Sequence, residues 1–203
     1  MQTTKSRLAV AVTAPVMALG TTALVGILNL PVAPVKAEQD WVGAAGVDST
    51  INAVLTDVPP GFDVSNGEYD AWCIEDNGRD DAPPTFDLIL VDSTDPAATG
   101  TYYPTPIVPA DAWNKINYLL NHKNGTVVDV QHALWMLMGS PVIWGGTPSA
   151  EALAMYADAD SNGAGFVPAA GDTVAVILWA DGIGPNGWQD TLIELQWSFT
   201  GDQ

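Results

Sequence analysis

Between Ser49 and Asp92 the chain carries short runs of β-branched, aromatic and alternating apolar residues, separated by turn-forming dipeptides. Ser49–Val58, Glu68–Glu75 and Phe86–Asp92 are bounded by Pro-Pro, Asn-Gly and Asp-rich turns, which predicts strands of an antiparallel sheet. The period then changes. Pro109–His122 opens with proline and an acid and places Trp113, Ile116 and Leu120 at helical spacing. Asn124-Gly125 breaks that helix, and Thr126 is placed to cap a second one, in which Val127, Val130, Gln131, Leu134, Trp135 and Met138 form a single stripe. Gly139-Ser140-Pro141 ends it. Ser149 as cap and Glu151 as first-turn acid predict a third helix reaching about Ala159. Thr173–Ala180 and Gln189–Trp197 return to strand patterning. Strands at both ends of a helical middle predict an α+β fold, an antiparallel β-sandwich or partial barrel with a small inserted helical subdomain.

The amino terminus reads differently. Lys5 and Arg7 precede an uncharged, largely apolar run from Leu8 to Leu30, and Val35-Lys36-Ala37 sets small residues at the −3 and −1 positions of a cleavage site. The expectation is a signal peptide over 1–37, followed by one exported domain over 38–203. Left uncleaved, the apolar run is long enough to anchor the chain in a membrane. The whole chain has 24 acidic and 6 basic side chains. Past Ala37, Arg79, Lys115 and Lys123 are the only cations facing all 24 acids. Such a surface repels a polyanion, which excludes nucleic-acid binding through phosphate contacts. With 47% hydrophobic residues and eight tryptophans there is still ample material for a core. The single cysteine, Cys73, excludes an intramolecular disulfide framework and a cysteine-rich zinc site.

Two residues carry the candidate chemistry. Gln131 shares its stripe with Val127, Leu134 and Trp135, so its amide points toward the core, where an unsatisfied amide costs about 1–3 kcal/mol. A hydrogen bond to backbone is one way to satisfy it. The other is covalent: a buried thiolate beside the carboxamide attacks the carbonyl and expels ammonia, leaving an internal thioester. Cys73 is the only sulfur nucleophile for that step, and a small buried hydrophobe is its alternative role.

Trp72-Cys73-Ile74 resembles the aromatic-Cys-hydrophobic motif of the thioester domains of bacterial surface adhesins, and Val130-Gln131-His132-Ala133-Leu134-Trp135 resembles their partner motif. The segments Trp113–Leu120 and Gly187–Ile193 are similar to the helix before the Gln helix and to the closing strand of that family, so the likeness runs from about Ser49 to Trp197. It implies a Cys73–Gln131 thioester in a pocket formed with Trp72, Ile74, Val130, Leu134 and Trp135. It further implies covalent capture of an amine on a lysine-rich protein or other surface ligand, with no cofactor and no enzymatic turnover.

Other constellations point elsewhere. His132 is one residue, about 100°, off the Gln131 direction, which sends its ring toward solvent or a helix cap. A Cys73–His132–Asp129 hydrolase is the enzymatic alternative. Asp158, Asp160 and Asn162 open like a calcium loop, but Ala169 stands where the bidentate acid belongs, so a polar helix end is expected instead. Asp76, Asp80 and Asp81 around Arg79 read as a solvated loop. If Trp144, Trp179 and Trp188 lined one exposed face, the domain would instead be a non-covalent carbohydrate- or matrix-binding module.

Overall fold

The computed structural model describes residues 26–46, 48–75, 85–103, 108–140, 146–180 and 189–198. Its strands are β1 (Val35–Trp41), β2 (Ile51–Thr56), β3 (Gly67–Cys73), β4 (Phe86–Asp92), β5 (Thr173–Trp179) and β6 (Thr191–Gln196). They pair antiparallel in the order β1-β2-β3-β6-β5-β4 and close into a barrel. Between β4 and β5 run the helices α1 (Pro96–Tyr102), α2 (Ala112–His122), α3 (Val127–Leu137) and α4 (Ala150–Asn162). The chain is therefore α+β, with a closed barrel in place of the expected sandwich or partial barrel.

Closure depends on β1, a strand the hydrophobic pattern did not mark. Its registers Lys36↔Thr56 through Trp41↔Ile51 bind β2, and Val35↔Leu88 through Ala37↔Phe86 bind β4. A strand bonded on both sides removes the exposed edge that an open sheet would leave. The expected leader junction after Ala37 falls inside this strand, and a cut there detaches the residues that register with β4. The chain upstream is also fastened. The Leu28 amide donates to Asp92 Oδ2 at 2.9 Å and the Asn29 amide to Asp63 Oδ2 at 2.6 Å, while Leu28 and Leu30 pack against the barrel core.

Side chains alternate across each strand, so the barrel separates two cores. Leu55, Ala71, Leu88, Val176, Leu178 and Ile193 fill the interior. Trp72, Ile177 and Leu192 face outward and are covered by Trp113, Ile116 and Leu134 of the helical layer. β5 is buried on both faces, which explains its continuous apolar run. Two asparagines fix α2 against it. Asn117 Oδ1 accepts from the Ala175 amide and Asn121 Oδ1 from the Thr173 amide, at 2.9 and 2.8 Å, giving β5 the partners another strand would supply.

α4 continues past Ala159 to Asn162, so the Asp158–Asn162 stretch is helical and does not form a calcium loop. Residues two apart diverge on a helix. Asp160 accordingly meets Lys115 at 2.7 Å, while Asp158 accepts from Asn162 at 2.7 Å and from the Tyr118 hydroxyl at 3.3 Å. Among the described residues no helix is long and apolar enough to cross a membrane, and no cluster of three or more His, Cys, Asp or Glu is placed to hold a metal. The leader through Val25, the Asp76–Asp81 cluster, Trp144 and Trp188 lie outside the described residues.

Candidate functional site

β3 ends at Cys73 at a place where its two neighbours part company. On one side Cys73 still stands opposite Thr191 of β6. On the other, the ladder to β2 stops two residues short, at Ile51↔Ala71. Successive backbone amides alternate in direction, and since the Ile74 amide donates to Asp190 O on the β6 side at 3.1 Å, the Cys73 amide and carbonyl face the gap left by β2. Gln131 fills that gap. Its Oε1 accepts from the Cys73 amide at 2.9 Å, and its Nε2 donates to the Cys73 carbonyl at 2.8 Å. The planar carboxamide thus behaves as one more peptide unit of the ladder, and its carbonyl lies beside the cysteine that bears the thiol.

A third residue converges on the same oxygen. The Thr50 hydroxyl donates to Gln131 Oε1 at 2.6 Å. Thr50 is positioned by the loop before β2, which folds back so that its carbonyl accepts from the Val42 and Gly43 amides at 3.0 and 2.9 Å. Gly46 makes that fold possible, because a Cβ there would stand 1.9 Å from the Ser49 carbonyl oxygen. The site is buried, with Gln131 2% and Cys73 4% exposed.

The chain after Cys73 is clamped as well. The Glu75 carbonyl accepts from the Trp135 indole N–H at 3.0 Å and from Gln189 Nε2 at 3.1 Å. Asp190, fully buried, accepts from the Tyr103 hydroxyl at 2.5 Å and from the Ala180 amide at 2.7 Å. Burial first, and then the Asp190 charge, push the Tyr103 hydroxyl well above its ordinary pKa, so it remains a donor. Of the expected pocket residues, Trp135 joins the barrel core with Cys73, whereas Trp72, Ile74, Val130 and Leu134 lie in the outer core behind the site.

The local sequence of α3 holds Gln131 in place. Thr126 caps its start, as its position predicted, and Asp129 completes a reciprocal cap with it. Asp129 Oδ2 accepts from the Thr126 amide and hydroxyl, and Oδ1 from Ser149 at the start of α4 at 2.5 Å. These hydroxyls, Ser149 foremost, hold the Asp129 carboxyl below its ordinary pKa. Both oxygens of the candidate triad acid are thereby committed to helix caps. His132 departs from expectation. It is 4% exposed, with its ring 6.0 Å from that of Trp135, because α3 is covered by the barrel on one side and α4 on the other and has no solvent face at that turn.

Beside the site a cleft of about 370 Å³ opens between Ala44, Gly46 and Asp48 on one side and the start of α3 on the other. Trp72, Lys123, Asp48 and Val130 contribute to its lining. Lys123 Nζ sits 5.6 Å from the Trp72 ring centroid and 2.5 Å from Glu194 Oε1, the same oxygen that accepts from the Trp72 indole at 2.8 Å. Trp179, a candidate sugar platform, packs against Tyr102 at 4.9 Å.

Chemically, the arrangement polarises one carboxamide. Two donors on Oε1 draw electron density from Cδ, and the bond from Nε2 to the Cys73 carbonyl prevents the amide from flipping. Thr50, Asp190 and Glu194 were not identified from sequence. Thr50 stands 81 residues from its partner and belongs to no motif, while Asp190 lies within the Gly187–Ile193 likeness without having been assigned a role.

No protein family matches the chain, and no curated protein matches it. Among solved structures, the N-terminal domain of the Streptococcus pyogenes pilus tip adhesin Cpa shows a weak likeness. It has 12% identity and a TM-score of 0.45, over 86% of this chain and 99% of that one.

Proposed function

We propose that Cys73 and Gln131 form an internal thioester, and that this exported domain uses it to capture an amine on a target surface covalently. The observation that carries this reading is the two-point pairing of the buried Gln131 carboxamide with the Cys73 backbone, at 2.9 and 2.8 Å. It holds the carboxamide against the backbone of the residue that bears the thiol, which supports an intramolecular reaction in place of a bimolecular encounter. In the forming step Cys73 Sγ adds to Gln131 Cδ, the C–N bond breaks, and nitrogen leaves as ammonia carrying the thiol proton. In the capturing step an amine nitrogen adds to the same carbon, the C–S bond breaks, and the amine's proton passes to sulfur. The target becomes joined to Gln131 through an amide, and the thiol is regenerated.

The acidic surface and the neighbouring cleft with Asp48 favour an ammonium-bearing, lysine-rich partner. Docking then supplies the local concentration that makes a slow aminolysis useful. Methylamine tests the chemistry without a partner. It should add to Gln131 and expose Cys73 to iodoacetamide, both read by peptide mapping. A Cys73 that alkylates fully before methylamine is added would refute the proposal.

A further inference from the structure

We infer that Thr50 is a catalytic residue of this site: its hydroxyl, together with the Cys73 amide, holds the negative charge that develops on Gln131 Oε1 in both acyl-transfer steps. The inference rests on the thioester reading and adds a role to a residue outside both motifs. Thr50 Oγ1 is 2.6 Å from Oε1 and the Cys73 nitrogen 2.9 Å, so both donors converge on the one atom that becomes an oxyanion when sulfur or an amine adds to Cδ. Neutral amides need no such pair for packing alone, since one bond satisfies a carbonyl oxygen.

The hydroxyl is also preorganised. Thr50 is 2% exposed, and its carbonyl is fixed by the Val42 and Gly43 amides. On its flank, Ser49 Oγ donates to the Ile51 carbonyl at 2.8 Å. The donor therefore does not have to reorganise as charge appears, and its effect in a water-excluded site is large. In the tetrahedral state the carbonyl π electrons reside on Oε1. On collapse they re-form the C=O bond and expel ammonia in the forming step, or the Cys73 sulfur in the capturing step. The same two donors serve both steps, because each places its negative charge on the same oxygen, Oε1.

The test compares Thr50→Val, which removes the hydroxyl while keeping a branched side chain, with Thr50→Ser, which keeps it. Intact mass gives the fraction of freshly made chain that has lost ammonia, and timed methylamine addition gives the capture rate. Losing one oxyanion donor typically slows acyl transfer by about 10²-fold or more. Thr50→Val should therefore capture methylamine at least about 10²-fold more slowly, or fail to form the thioester, while Thr50→Ser stays close to wild type. Equal rates in wild type and Thr50→Val would overturn the inference. So would equal losses in Thr50→Val and Thr50→Ser, which would assign Thr50 to packing. A wild-type chain of full mass would refute the thioester itself, a separate outcome from either.

Discussion

Replacing Cys73 with alanine separates a cross-linked site from a hydrogen-bonded one by the size of the stability loss. Alanine keeps the backbone amide and carbonyl, so the variant can make both bonds to the Gln131 carboxamide, and relative to the hydrogen-bonded form only the sulfur is removed. Loss of one buried heavy atom costs about 1 kcal/mol. A thioester adds a second contribution, because it closes a loop across a separation of 58 residues. Treated as a disulfide of that span, the cross-link restricts the unfolded chain by about 4 kcal/mol. The predicted loss is then about 5 kcal/mol with the cross-link and about 1 without it. Urea unfolding of fresh samples, followed by tryptophan fluorescence, reads the difference. The wild type should also show the shallower urea dependence, because a cross-linked unfolded chain exposes less surface. A loss near 1 kcal/mol with an unchanged slope would refute the reasoning.

Three further outcomes follow from the geometry. The Asp129 carboxyl is depressed by Ser149 and Thr126, so its contribution is present above the unfolded pKa of about 4 and disappears as pH falls through the lower folded value. Asp129→Asn should cost about 1 kcal/mol at neutral pH and much less at pH 2, measured by thermal melts across pH. A chain beginning at Glu38 should melt below one beginning at Gly26 and should tend to associate, because it lacks the Val35–Ala37 pairing with β4 and exposes that edge; equal melting of the two would contradict the closure described for β1. Chelation should leave the melting temperature unchanged, since Asp158 and Asp160 are engaged by Tyr118, Asn162 and Lys115 on helices; a drop reversed by calcium would contradict this.

The legible parts of the fold were those specified locally. β4 appears over Phe86–Asp92 as its β-branched run predicts, and α3 starts where Thr126 can cap it. Gln131 was recognisable because a polar residue on an apolar helical stripe demands a partner. β1 was not recognisable. Its inward residues Val35 and Ala37 are small, Lys36 and Glu38 alternate with them, and the segment continues an apolar leader-like run, so period two is faint. Barrel closure escaped for the same reason, since it turns on the β1–β4 register, a pairing between residues far apart in sequence. His132 was misplaced because helical angle alone gives a direction and not what covers it, and here α4 covers the face opposite the barrel. Thr50 had no sequence signal. Only the fold brings its hydroxyl to Gln131.

Thioester formation expels ammonia, so the bond has a signature in mass that no hydrogen-bonded arrangement can imitate. The direct measurement is the intact mass of freshly purified wild type beside Cys73→Ala and Gln131→Ala, all at neutral pH and never exposed to amines. The account predicts a wild type lighter than its sequence by one ammonia, with both variants at full sequence mass. A wild type at full mass would contradict it.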